Sequence, residues 1–219
     1  SWATLLLGAP TEDGLYALVH VERNGSELGQ FTCKLDYQKA PRTVANFVGL
    51  AAGTRPWMDF INGGVKMQPY YDGITFHRVV DGFVIQAGSP DGSGGDGPGY
   101  SFRDEFDDTL RHNKEGILSM ANSGEHTNGS QFFVTLDANS ATHLDDLHSI
   151  FGEVIEGFNT VVLNVREDDV ISRVEILRIG TEAQAFDENA QGLPVIRDAT
   201  TTLDLANAKV MTTAEANSQ

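Results

Sequence analysis

Residues 118–136, LSMANSGEHTNGSQFFVTL, decide the fold. Two apolar pieces, Leu118-Ser119-Met120-Ala121-Asn122 and Gln131-Phe132-Phe133-Val134-Thr135, read as strands, and Thr127-Asn128-Gly129-Ser130 supplies turn chemistry between them. Few folds need two such strands around a polar loop of that composition. Working outward, Phe76-His77-Arg78-Val79-Val80 and Gly82-Phe83-Val84-Ile85-Gln86 stand upstream, and Phe151-Gly152-Glu153-Val154 stands downstream.

Near the start of the chain, residues 15–23 and 27–35 alternate with the period of half-buried strands, and Asn24-Gly25 between them is a strong hairpin signal. Pro41 then opens a segment in which Val44, Phe47, Val48 and Ala51 recur at helical spacing, with Gly53 placed to end it. Residues 54–69 hold Pro56, Asn62-Gly63-Gly64 and Pro69. They are too broken for a long element and too apolar at Trp57 and Phe60 for a free linker, which predicts a packed loop. Several short strands follow. A second helix is predicted over about 159–166, with Val161, Val162 and Val165 as its apolar stripe, and a final strand over 170–179. Many short strands with two helices and frequent glycine turns predict a mainly β fold, a closed antiparallel β-barrel.

The chain of 219 residues is long enough for one well-buried core, and 40% hydrophobic with 21% charged residues describes an ordinary globular protein. No apolar run approaches the roughly 20 residues that span a bilayer, so membrane insertion is not expected. Leu5-Leu6-Leu7 is too short for the apolar centre of a signal peptide, and no basic residue precedes it. A soluble protein of bacterial cytoplasm or periplasm is the expectation, with the compartment open. The 15 Lys+Arg against 31 Asp+Glu give a net charge of -16, which repels phosphate backbones and argues against a nucleic-acid partner. Cys33 stands alone, so no intrachain disulfide is available.

Taken together and in order, these motifs resemble the cyclophilins, peptidyl-prolyl cis-trans isomerases that turn X-Pro bonds and assist folding. The resemblance spans about residues 15–180 and runs nearly without a gap from Tyr71 to Val162. It sharpens the fold to eight strands with a helix over each end. It also divides the chain into an N-terminal extension at 1–14, an isomerase domain at 15–180, and a C-terminal extension at 181–219. A loop like 54–69 precedes the Tyr-Asp-Gly motif in many bacterial members, and that motif stands here as Tyr71-Asp72-Gly73. The extension is acidic and polar, yet Leu193, Val195, Ile196, Leu203, Leu205, Val210 and Met211 suit docking on the barrel or on a neighbouring chain.

Turning an X-Pro bond breaks amide resonance, a barrier of roughly 18 to 20 kcal/mol, but cuts nothing. No nucleophile, metal or cofactor is therefore expected. The reaction needs an apolar pocket for the proline ring, anchors for the flanking peptide, and a donor that favours the twisted amide over the planar one. The resemblance assigns the donor to Arg78, whose planar fork can serve the substrate carbonyl and the twisting nitrogen together, which a lysine cannot. It assigns Phe83, Val84, Phe133 and Leu144 to the proline pocket, with Val84 where Met is common. Gln86 and Asn122 would hold the substrate backbone, Ala121 and Gln131 would line the groove, and His148 would bond a substrate carbonyl. The implied partners are proline-containing polypeptides. The alternative is a module on the same fold that binds proline peptides, or acts as a chaperone, without turnover.

The chain also departs from the family pattern. His143 stands where the best-known eukaryotic members carry a Trp that contacts cyclosporin, so binding of that drug is expected to be weak. Ala87 replaces the first Gly of a usual Gln-Gly-Gly and is expected to bring a methyl near the groove. Ser89 replaces a common Asp, and Glu125 replaces a frequent Pro, which would loosen its loop slightly. Three other constellations fail on spacing. The histidines of His143-Leu144-Asp145-Asp146-Leu147-His148 lack the His-Glu-x-x-His spacing of a zinc site. The run Asp91-Gly92-Ser93-Gly94-Gly95-Asp96-Gly97-Pro98-Gly99 lacks the ending of a P-loop and the spacing of an EF-hand. Ser130 with His126 lacks a Gly-x-Ser-x-Gly elbow.

Overall fold

The structure is a computed structural model and describes residues 9–197, 201–204 and 209–212. Strands β1 (Gly14–Arg23) and β2 (Ser26–Leu35) form the opening hairpin, turned by Asn24 (φ 53) and Gly25 (φ 76), the two left-handed residues of a tight hairpin turn. Helix α1 (Pro41–Ala52) follows and ends where predicted, at Gly53, whose φ of 73 is left-handed. A Cβ at Gly53 would lie 2.6 Å from the Gln68 carbonyl carbon, so packing and backbone both demand glycine. No side chain at the helix start caps α1. Glu105, far along the chain, accepts instead from the backbone N–H of Arg42 and Thr43 at 3.2 and 2.9 Å.

The 54–69 segment contains a short hairpin, β3 (Trp57–Met58) with β4 (Val65–Lys66). Trp57 and Met58 are buried as expected of a packed loop, but Phe60, the other residue on which that expectation rested, is exposed with Ile61 and Met67. The remaining strands are β5 (Arg78–Val80), β6 (Val84–Ala87), β7 (Ile117–Met120), β8 (Phe132–Thr135), β9 (Ile150–Glu156) and β10 (Val170–Ile179). With β1 and β2 they make one eight-stranded curled sheet in the order β10-β1-β2-β9-β7-β8-β6-β5, every pair antiparallel. The residues just before β5 meet the start of β10 through one bridge, Thr75 with Val170, and through backbone hydrogen bonds such as Phe76 N to the Asp169 carbonyl and Ile171 N to the Ile74 carbonyl. The strands β5 and β10 share no ladder, so the sheet is a curled half-barrel where a closed barrel was expected. Phe47 of α1 packs in the interior against Tyr71, Phe132 and Phe151 at ring distances of 5.1 to 5.5 Å.

The helix predicted at 159–166 is a set of turns with one 3-10 turn over Val162–Asn164. Val161, Val162 and Val165 are buried, so their spacing reported burial and not helix. Three β-branched valines beside two asparagines and a threonine favour a long helix poorly, and Asn164 Nδ2 bonds the carbonyls of Asn159 and Thr160. The second helix is instead α2 (Thr181–Ala185), directly after β10.

Beyond it the chain runs through a 3-10 turn at Glu188–Ala190 into the meander β11 (Pro194–Ile196), β12 (Thr201–Asp204) and β13 (Lys209–Thr212). Ala183, Leu193 and Ile196 are buried in the main core, while Val195 is half-buried. Leu205 and Leu5-Leu6-Leu7 lie outside the described residues, as do the side chains of Leu203, Val210 and Met211. Arg55, itself buried, bonds the Pro194 carbonyl and reaches Tyr100 Oη at 2.7 Å, fastening this segment beneath α1.

Candidate active site

Register brings the candidate residues together. Arg78 pairs with Gln86, Gln86 with Phe133, and Phe133 with Ser119, so one transverse row crosses β5, β6, β8 and β7. Residues directly opposite on neighbouring antiparallel strands share a face. Alternation along β6 then puts Val84 and Gln86 on this face and Ile85 and Ala87 on the other. The expectation for Ala87 is corrected by that geometry, since its methyl is fully buried in the core and does not border the groove. The glycine that matters is Gly88: its φ is 101, and a Cβ there would stand 2.4 Å from the Ser130 carbonyl oxygen.

The guanidinium of Arg78 is exposed, donates to Gln86 Oε1 at 3.3 Å and lies 5.9 Å from the centre of the Phe83 ring. Gln86 Nε2 donates to Gln131 Oε1 at 3.1 Å, and Gln131 Nε2 donates to the carbonyls of Gly94 and Asp96 at 2.9 and 3.0 Å. That chain of amides ties the arginine to the glycine-rich loop. Ser89, the replacement for Asp, is fully buried and holds the same loop. Its hydroxyl accepts from Gly94 N at 3.0 Å and donates its one proton to Asp96, with Asp91 Oδ1 3.3 Å away.

On the apolar side, Phe133 and Val84 are buried and Phe83 and Leu144 are half-buried. Phe83 stacks on His143 at 5.8 Å, and Phe133 meets the edge of His148 at 5.6 Å. His143 is exposed on the 3-10 turn Thr142–Leu144. Ala121 N donates to the Gln131 carbonyl at 3.0 Å, and Asn122 Nδ2 donates to the Leu147 carbonyl at 2.8 Å. The 121–131 loop is also pinned from outside, because Asp104 accepts from His126 N and Asn128 Nδ2 at 2.9 and 2.7 Å. Glu125 in place of Pro therefore sits in a loop held at both ends.

His148 Nδ1 lies 2.8 Å from the Met120 carbonyl, which can only accept, so that nitrogen carries a proton. In the neutral ring Nε2 is then a lone pair and can only accept a hydrogen bond. Donation to a substrate carbonyl, as the sequence led us to expect, requires the imidazolium.

Sequence reasoning missed a buried relay behind Phe133. His112 is fully buried and its ring stacks on Phe133 at 5.8 Å with a 19° tilt. Its Nδ1 is 2.9 Å from Asp145 Oδ1, its Nε2 is 2.9 Å from Ser119 Oγ, and its backbone N–H donates to Asp145 at 2.7 Å. Burial depresses the basicity of His112, with Asp145 opposing, so the ring is neutral with its proton toward Asp145 and accepts from Ser119. Burial alone would raise the Asp145 carboxyl, but the bonds from His112 hold it below its ordinary value. Ser119 has no access to substrate, so the trio is no nucleophilic triad. No signal in the sequence marked it, since its members stand 33 and 7 positions apart.

A family model described as cyclophilin-type peptidyl-prolyl cis-trans isomerase matches residues 18–181. Peptidyl-prolyl cis-trans isomerase A of Mycobacterium tuberculosis (strain H37Rv) is 47% identical over 140 residues, covering 64% of this chain and 73% of that protein. Peptidyl-prolyl cis-trans isomerase B of Streptomyces anulatus is 45% identical over 140 residues, covering 64% of this chain and 76% of that one. A Cryptosporidium parvum cyclophilin-type isomerase crystal structure superposes with a TM-score of 0.60 at 28% identity, covering 77% of this chain and 100% of that chain. A second crystal structure of that protein, in the presence of the dipeptide Ala-Pro, gives 0.58 at 30% identity, covering 75% of this chain and 99% of that chain.

Proposed function

The chain belongs to the cyclophilin-type peptidyl-prolyl cis-trans isomerases, and from that premise we propose that the X-Pro bond turns in the groove between Arg78 and His148. The protein is an isomerase of prolyl peptide bonds. In this reading the proline ring rests on Phe83, Val84, Phe133 and Leu144, and the flanking backbone meets Gln86, Ala121, Asn122 and Gln131. Arg78 supplies the donor. As the amide twists, conjugation is lost and the prolyl nitrogen regains a lone pair, and a guanidinium that bonds it stabilises the twisted state selectively. The observation that carries this assignment is the transverse row Arg78, Gln86, Phe133. It sets a charged donor, an amide anchor and an aromatic wall on one face of adjacent strands.

The alternative, a groove that clamps proline peptides without turnover, is weaker because Arg78 has one long hydrogen bond among the described residues and is free to swing onto substrate. The proposal treats residues 15–180 as the catalytic domain and 181–219 as a buttress. It takes the partners to be proline-containing polypeptides and excludes nucleic acid, on the strength of the charge of -16. No described helix is long and apolar enough to cross a membrane. A soluble existence in a bacterial cytoplasm or periplasm completes the reading.

An exchange assay by NMR on a short X-Pro peptide tests it. Catalysed exchange that persists after exhaustive chelation is expected. Exchange at the uncatalysed rate, with the peptide still bound, would favour the clamp.

A further inference from the structure

We propose that the β3–β4 hairpin is a specificity element, with Phe60 taking an apolar side chain of the substrate beside the proline groove. The inference rests on the isomerase groove assigned above and extends it. Phe60 lines a cavity of about 570 Å³ together with Gln86, Ala121, Asn122 and Gln131, all residues of that groove, and the glycine-rich loop. A peptide whose proline lies against Phe133 passes Gln86 and Gln131 on its way to this cavity. An extended chain advances about 3.3 to 3.6 Å per residue, so the side chain that meets Phe60 belongs to a residue flanking the proline, at a distance that a peptide series determines.

An exposed phenylalanine alone would signify little. Here the turn that presents it is over-determined. Asp59 is buried, and its carboxylate accepts from Ile61 N at 3.1 Å, Asn62 N at 2.9 Å and Asn62 Nδ2 at 3.1 Å. Trp57 Nε1 donates to the Gln68 carbonyl, and Met58 N donates to the Pro98 carbonyl, each at 2.9 Å. The hairpin is therefore held by Trp57, Met58 and Asp59. Phe60 at 58% exposure and Ile61 at 59% add little to that packing. Apart from Pro98, Ala121 and the buried Tyr100, the rest of the cavity wall is glycine and polar side chains, so Phe60 is its one large exposed apolar side chain. An aromatic or branched aliphatic substrate residue gains contact there, and a glycine or aspartate gains none.

The test compares kcat/KM for peptides that share one X-Pro bond and differ at the three positions on either side of it, carrying Phe, Leu, Gly or Asp. Wild type is expected to prefer the Phe and Leu peptides at one position by about tenfold, the factor that 1.4 kcal/mol of extra contact provides. Phe60→Ser should lose that preference. Ile155→Ser, which alters an exposed apolar residue remote from the cavity, should keep it. An unchanged preference in Phe60→Ser would overturn the proposal. Peptide titration of the Arg78→Ala variant, followed at the backbone amides of Phe60 and Ile61, separates this inference from the isomerase reading. Shifts there with the Phe peptide and not the Gly peptide support the inference even where turnover is nil, and their absence overturns it. Concentration-dependent association that Phe60→Ser abolishes, with peptide preference intact, would assign the patch to contact between copies and likewise overturn it.

Discussion

Arg78 and Arg55 put the same side chain to opposite uses in two regions of one curled sheet and its surroundings. Arg78 stands exposed at the sheet edge with one hydrogen bond of 3.3 Å among the described residues, so little would have to be broken for it to serve the proposed substrate. Arg55 is buried, lies 4.7 Å over the Tyr100 ring, donates to its hydroxyl and bonds the Pro194 carbonyl. The first region keeps donor capacity in reserve. The second uses it to join the chain beyond β10 to the main core. What separates a guanidinium with donors to spare from a structural one is thus how many of its donors the fold has already satisfied.

The comparison predicts a double dissociation. Arg78→Ala should lower turnover about 10²- to 10³-fold, as loss of a transition-state donor does elsewhere. Its melting temperature should stay native. Wild-type turnover in that folded variant would end the proposed mechanism.

Arg55→Leu should do the reverse. The Pro194 carbonyl loses its partner in a buried place, which costs roughly 1 to 3 kcal/mol. A fall of several degrees in melting temperature is expected, at roughly 2 to 4 °C per kcal/mol for a chain of this size. Removal of residues 181–219 should also lower it, because Ala183, Leu193 and Ile196 leave the core. Turnover per folded molecule should change little. The regions are nevertheless linked, since Tyr100 bonds Asn46 and Asn46 Nδ2 donates to the Gly129 carbonyl in the groove loop at 2.7 Å. A native-like Arg55→Leu variant with collapsed turnover would show that this chain of bonds sets the groove and would break the division.

Acid should sharpen the contrast to a smaller degree. His112 is less basic folded than at its ordinary value of 6.5, so below that value the unfolded chain binds the proton more readily. The stability it contributes is complete above about pH 6.5 and is lost as pH falls. Burial of His77 has the same sign. The loss due to His112 is therefore the difference between melting curves of wild type and His112→Gln from pH 7 to pH 5. Parallel curves would remove His112 from the account. The smallest effect concerns the rim. His143→Trp should strengthen cyclosporin binding in calorimetry, since indole adds apolar area and an N–H donor beside Phe83. Equal binding would show that the rim residue is indifferent.

Much of the frame was legible because it is encoded locally. Asn24-Gly25, Pro41 and Gly53 act through their own backbone preferences, and structure places the turn and both helix ends where those preferences put them. The stripe of Val161, Val162 and Val165 misled because burial imposes the same periodicity whether or not a helix forms. The groove residues were identified through a resemblance, and strand register then set Arg78, Gln86 and Phe133 in one row.

By itself the sequence determined the family, the first hairpin, α1 and the limits of β10, all through local chemistry or contiguous motifs. Tertiary structure alone decided that Glu105 caps α1, that His112 braces Phe133, that Arg55 fastens Pro194 and that Phe60 faces the groove cavity. The partners in three of these contacts lie 62, 21 and 139 positions apart. Nothing in the spacing of a chain records such distances, because each contact exists only once the curled sheet has brought remote strands and loops together and left their polar groups to satisfy one another.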